Sequence, residues 1–379
     1  MKVFVAGDFC PYDRVARLID EGSFELFFSE VKEVNSHVDL SIVNFESTTI
    51  EKGDAPIKKA GPNLGCDKKA FEALKWGGFD VACFANNHFR DYGDAGVKRS
   101  IESAQSAGLD FVGGGRTIEE ASRVLYKTIG EQTIAIINVC EHEYSIATES
   151  KAGSNPIDPI AQYYQIQDAR SHADYIIIIA HGGHEHCPQP SKRMRQWYRW
   201  FIDIGADAVI NCHQHCYCSY ERYNNKPIFY GLGNFCFDWP GRRNIAWNRG
   251  FAVILELQKE SVRFELLPYV QGDENVAVHF TPGNKEFFDN IAELNSVLGD
   301  PVRYEKSLQD FYDGNPYFGG VARGIRRTKI LKAKIRTFLG SKQSSTGVSQ
   351  RYYLNARDLI ECESHRDRII HELRKKTEE

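Results

Sequence analysis

The feature that most constrains this chain is what stands at the ends of its β-branched runs. Short apolar segments at 3–6, 40–43, 81–85, 134–139, 175–180, 208–210 and 228–230 read as strands. They run in turn into Asp8, then Asn44 and Glu46, then Asn86-Asn87-His88 with Asp91, then Glu141-His142-Glu143. The remaining three end in His181 with His184-Glu185, in His213 and His215, and in Asn234. One His or Asp after a strand is ordinarily a turn or cap residue. The same position filled on strand after strand is different, because open α/β sheets bind ligands in the crevice beyond their carboxyl ends. Two carboxylates, a carboxamide and three imidazoles suit a pair of divalent metals. Such a centre lowers the pKa of bound water and holds an oxyanion.

Helical character at 68–75, 95–107, 159–171 and 192–204 alternates with the strands, which predicts a layered α/β fold. Alternation at 251–257 and 262–267 predicts an antiparallel pair that closes the domain. The character changes near residue 281, so residues 1–280 are expected to form one domain and 281–379 a C-terminal basic helical extension. Between 323 and 342 there are eight Lys and Arg residues and no acid. A polar linker at 341–350 then leads to a final helix through Ile360, Ile369 and Leu373.

The overall charge of −4 gives no footprint for nucleic acid. The N-terminal apolar stretch is too short for a signal-peptide core, and no run approaches the length of a membrane span. The expectation is a cytoplasmic chain with ten reduced cysteines. Any contact with the inner membrane would be peripheral, through the basic stretch 323–342.

Six motifs in order, GDF at 7–9, NFE at 44–46, NNHFRDYG at 86–93, HGGHE at 181–185, GADAVINCHQH at 205–215 and YGLGNFCFD at 230–238, resemble those of the CapA family. That family makes capsule and poly-γ-glutamate and belongs to the calcineurin-like metallophosphatase superfamily. The resemblance spans about residues 1–267. It implies a metallophosphatase-like αββα sandwich and two divalent ions, of Mn, Fe or Zn. Asp8 and His215 would hold the first, Asn87, His181 and His213 the second, and Glu46 would bridge them. His88 matches the superfamily's leaving-group acid, with Asp91 orienting it and raising its pKa. Asn234 and Glu185 would face substrate. Cys10 stands where the wider superfamily has a His, which CapA proteins generally lack as well, and Cys212 and Gln214 replace a Gly and a Pro in the turn bearing the paired histidines.

Lys58 and Lys59, ahead of a Gly-Pro loop, are candidates to meet an anionic substrate, although a solvated pair is the ordinary reading. His184 and His186 are weaker ligand candidates, and Cys216 and Cys218 have the wrong spacing for a zinc knuckle. The function expected is a metal-dependent hydrolase of a phosphoester, amide or ester bond, acting on an anionic surface polymer or its precursor. The rival is a non-hydrolytic assembly or transport factor of a polymer synthase. His88 discriminates, because a pure binding site needs no proton donor.

Overall fold

Strand Tyr175–His181 shows how the layers arise. All its residues are buried, and they divide by alternation. Ile177 and Ile179 join one core with Val3, Val5, Ile42 and Ile136, while Ile176, Ile178 and Ala180 join another with Ile166, Tyr198 and Phe201. Strand Lys2–Cys10 divides in the same way, with Val3 and Val5 on one side and Phe4 and Ala6 on the other. The described residues, in a computed structural model, are 1–259, 261–315 and 350–377.

Two sheets therefore pack face to face. The eight-stranded sheet runs His279–Phe280, Ser261–Val270, Arg249–Gln258, Lys2–Cys10, Leu40–Phe45, Val81–Cys83 and Asp110–Val112, with Asn234–Phe237 paired to the far end of Lys2–Cys10. The six-stranded sheet runs Tyr220–Tyr223, Lys226–Phe229, Ala208–Cys212, Tyr175–His181, Gln132–Cys140 and Leu125–Ile129. The central strands of both are parallel, so their carboxyl ends share one edge. The outer face of the first sheet is covered by helices Asp13–Glu21, Glu25–Asn35, Lys69–Trp76 and Gly93–Ser106 over a phenylalanine-rich core. Helices Pro159–Arg170, Lys192–Asp203 and Pro301–Gly314 cover the second. The result is the expected αββα sandwich.

Helices Asp13–Glu21 and Glu25–Asn35 have no counterpart in the sequence reading. The first carries a helical spacing in Val15, Leu18 and Ile19 that the sequence reading passed over. The expected single final helix is two, Gln350–Glu361 and Glu363–Thr377, parted at Cys362. The break frees Glu363 and Ser364 to face the body of the protein. The basic stretch 323–342 lies outside the described residues. Among the described residues no helix is long and apolar enough to cross a membrane.

A buried polar network ties this helix pair to the end of strand Gln132–Cys140. Ser364 Oγ donates to Glu141 Oε2 at 2.6 Å, and Arg193 bridges Glu141 (2.9 Å) and Asp367 (3.0 Å). His142 Nδ1 lies 2.7 Å from Glu363 Oε1, and Tyr144 donates its hydroxyl to the Leu354 carbonyl at 2.6 Å. Burial opposes the charge on Glu141, but Arg193 and Ser364 outweigh it and hold its carboxyl down to about 2. Asp367, sharing the same guanidinium, is pushed up by burial to about 6.

A carboxyl lowered from 4.5 to about 2 contributes on the order of 3 kcal/mol to the folded state. Because the folded value is the depressed one, this contribution is complete above about pH 5 and is lost as pH falls from 4.5 toward 2. Glu141→Gln is expected to destabilise the chain by about that amount at neutral pH. The gap to wild type, followed by chemical denaturation, should close on acidification; a gap independent of pH contradicts the assignment.

Candidate metal centre

The two sheets deliver their strand ends to one point. Asp8 lies in register with Asn44 on one neighbouring strand and Asn234 on the other. Position 7 has to be glycine, since a Cβ there would lie 2.0 Å from the Gly233 carbonyl oxygen. Glu46 follows strand Leu40–Phe45, on the same face as Asn44 two residues earlier, and its backbone N–H donates to the Phe9 carbonyl at 2.9 Å. His181 ends its strand, and His213 and His215 follow Ala208–Cys212.

Both of these last histidines have left-handed backbone, with φ of 101° and 55°. Non-glycine residues there cost about 1–3 kcal/mol each and persist only where their surroundings hold them. The holding group is Asn211, fully buried, whose Nδ2 lies 2.9 Å from both the Gly182 carbonyl and Gln214 Oε1, and whose Oδ1 accepts from Tyr198. Cys212 and Gln214 are accommodated in this turn.

The six expected ligands converge. Ligand atoms of Asp8, Glu46 and His215 lie within 4.8 Å of one another, and so do those of Glu46, His181 and His213. His181 Nε2 is also 3.0 Å from Asn87 Oδ1 and 3.1 Å from His213 Nδ1. Glu46 is common to both groups. Among the described residues its two buried carboxylate oxygens find no hydrogen-bond partner, which is costly unless a cation completes the site.

Electrostatics agree. Burial raises the Asp8 carboxyl above its usual range, and burial together with Asp8 raises Glu46 further. Burial and the neighbouring imidazoles push His181 well down, and burial lowers His215. Burial thus presses the acids to take up protons and the imidazoles to shed them, and a cation among them would let both act in their metal-binding forms. Oxygen and nitrogen donors without a thiolate fit a divalent metal, and two donor groups sharing a carboxylate offer it two places. Cys10 belongs to neither group, and burial pushes its thiol well up, so it stays protonated.

Neighbouring carboxamides orient the ligands. Asn44 Nδ2 donates to Asp8 Oδ1 at 2.7 Å and lies 3.2 Å from His181 Nδ1. The sequence reading gave Asn44 no role of its own, although its place two residues before Glu46 marks the same face. Asn234, expected to face substrate, has both ends of its carboxamide committed: Oδ1 lies 2.8 Å from His215 Nδ1, and Nδ2 donates to the Trp247 carbonyl at 3.2 Å. It is fully buried and positions a histidine.

The lysine pair divides. Lys58 is exposed, whereas the Lys59 side chain is 3% exposed, pairs with Asp91 and lies 3.2 Å from His88 Nδ1. His88 Nδ1 is 2.7 Å from Asp91 Oδ2, and its Nε2 is 3.9 Å from Glu46 Oε1. Asp91 does push the pKa of this ring up, as expected. Burial and Lys59 outweigh Asp91 and bring it down to about 4. His184 turns away, its Nε2 3.1 Å from the Tyr312 hydroxyl. Cys216 and Cys218 are buried free thiols. Glu185 lines a cavity of about 760 Å³ above the ligands, and although enclosure opposes its charge, His215, His213 and His186 hold it down to about 2.

Metal-stripped wild type is expected to gain thermal stability on adding a divalent cation. Glu46→Gln should melt a few degrees higher than stripped wild type, at about 2–4 °C per kcal/mol, yet gain little from metal. His213→Ala should lose bound metal by elemental mass spectrometry. Equal metal content and equal metal-induced gain in all three proteins contradict the site.

The chain is similar in sequence to known proteins. Residues 2–239 match the family described as bacterial capsule synthesis protein PGA_cap. The chain is 29% identical over 246 residues to the capsule biosynthesis protein CapA of Bacillus anthracis, covering 63% of this chain and 60% of that one. It is 30% identical over 268 residues to the PGA biosynthesis protein CapA of Bacillus subtilis, covering 69% of each. This chain thus spans less than two thirds of the first relative's length. Among solved structures, a hypothetical protein from Thermus thermophilus is similar at 15% identity and a TM-score of 0.45, over 74% of this chain and 100% of that one. On the match over residues 2–239, which is more than half of its length, the chain belongs to the bacterial capsule synthesis protein PGA_cap family.

Proposed function

We propose that this chain is a metal-dependent hydrolase acting on an anionic surface polymer or its precursor in capsule or poly-γ-glutamate synthesis. The observation that carries the reading is His88. This imidazole belongs to neither ligand group, is tethered by Asp91, and stands 3.9 Å from the shared carboxylate. A site that only bound a polymer would have no use for a tethered imidazole there.

Asp8, Glu46 and His215 would hold one ion, and Glu46, Asn87, His181 and His213 the other. When bound, the ions supply Lewis acidity, lowering the pKa of water and neutralising developing oxyanion charge. The chain's own groups do the rest. Asp91 fixes the His88 ring by its Nδ1 and leaves Nε2 toward the reacting side, where it would exchange a proton with the leaving group. A pKa of about 4 leaves the ring neutral at physiological pH. The acid role therefore depends on the negative charge of an incoming substrate, which raises the pKa of a neighbouring imidazole. Lys59, held by Asp91, places one positive charge beside the same ring. A cytoplasmic setting, with 323–342 touching an anionic membrane, belongs to this proposal.

His88→Ala is expected to fold, keep its metal and lose about 10²–10⁴-fold in turnover. The loss should shrink for p-nitrophenyl esters, whose leaving group needs no proton. Equal turnover by wild type and variant removes the acid role of His88, and polymer binding by both with hydrolysis by neither favours the assembly-factor reading instead.

A further inference from the structure

Glu141-His142-Glu143 ends its strand as the ligand-bearing segments do, yet it enters neither ligand group. Its work is different. Glu141 and His142 hold helix Glu363–Thr377 through Ser364, Arg193 and Glu363. Glu143 lines the cavity, with the Cys362 thiol donating to it at 3.8 Å. The helix pair is thereby fixed across the mouth of the metal centre, and one cavity is lined both by His88 and His213 and by Asn355, Asp358, His365 and Arg368. These four residues lie beyond the 2–239 segment that matches the family.

We propose that the C-terminal helix pair is part of the substrate site, and that Asn355, Asp358 and His365 form a specificity-determining wall for the portion of the substrate beyond the reacting group. This rests on the hydrolase reading above. The wall is polar and of mixed sign. Asp358 Oδ2 lies 3.1 Å from His365 Nδ1, the Asn355 residue is exposed to the cavity, and Glu143 and Glu185 face them from the strand side. Apolar surface, from Ala60, Pro62, Phe311 and Leu359 among others, is interspersed with these polar groups and makes up about half of the lining. The polar groups offer donors and acceptors to a charged, hydrogen-bonding group. A volume of about 760 Å³ takes a small molecule or a chain end. The reacting group would meet the floor of the cavity, and its continuation would meet the wall.

The test uses the full metal-loaded chain and three probes: orthophosphate, O-phosphoserine and hexyl phosphate. All carry the same anionic head, and they differ in what extends from it. By calorimetry, wild type should bind O-phosphoserine more tightly than either of the others. Asn355→Ala and His365→Ala should each narrow the preference for O-phosphoserine over orthophosphate by about 3- to 10-fold, as for one lost hydrogen bond. Metal content and orthophosphate affinity should stay unchanged. Asn355 is exposed on its helix, so that variant remains informative if His365→Ala fails to fold. An unchanged preference in a folded variant overturns the wall, and tighter binding of hexyl phosphate by wild type overturns its polar character. A shift that comes with lost metal or lost orthophosphate binding also overturns it, since the residue would then be structural. Failure of wild type to bind any of the three is a different result, which removes the phosphoester form of the hydrolase reading and, with it, the wall.

Discussion

The structure turns on a carboxylate that no hydrogen bond reaches. Glu46 is completely buried, and among the described residues neither of its oxygens has a hydrogen-bond partner. Leaving such a group in a protein interior costs more than any single packing contact nearby returns. Everything around it is arranged for positive charge to arrive. Two parallel strand sets end at the same edge, three imidazoles and a second carboxylate close within reach, and Asn44, Asn211 and Asn234 lock their orientations. Strained backbone at His213 and His215 belongs to the same pattern, in which conformational cost is held at a site by the packing beneath it.

Much of this was legible in the sequence because the signal repeats. Strand and helix segments in alternation gave a layered α/β fold, the resemblance to the CapA family implied the αββα sandwich, and the recurrence of ligand-type residues at strand ends gave the location of the site. What the sequence could not show was which end of a side chain is already committed. Asn234 and Asn87 are both asparagines at strand ends, yet one is spent on His215 and the other points to His181. Adjacent lysines were equally ambiguous, and only Lys59 is buried beside Asp91. The His88 ring shows the same limit in electrostatic form. Its carboxylate neighbour was visible from the spacing, but the burial and the lysine that outweigh it were not.

The C-terminal helices present a third kind of difficulty. Their sequence is strongly charged and separated from the body by a long polar segment, which made them look detached. Contacts such as Ser364 to Glu141 span more than two hundred residues and leave no local pattern. A strand end rich in Glu and His was correctly seen as special, but its purpose was to hold a helix and not an ion. The consequence is that one wall of the cavity comes from the C-terminal end of the chain, and its floor from segments far earlier in the sequence.

The central claim is that Glu46 is shared between two cation positions. Anomalous diffraction from crystals soaked in manganese tests it directly. The account predicts anomalous density on both sides of the Glu46 carboxylate, one peak within bonding reach of Asp8 and His215 and the other of Asn87, His181 and His213. Peaks confined to surface carboxylates, with none in contact with Glu46, would contradict it.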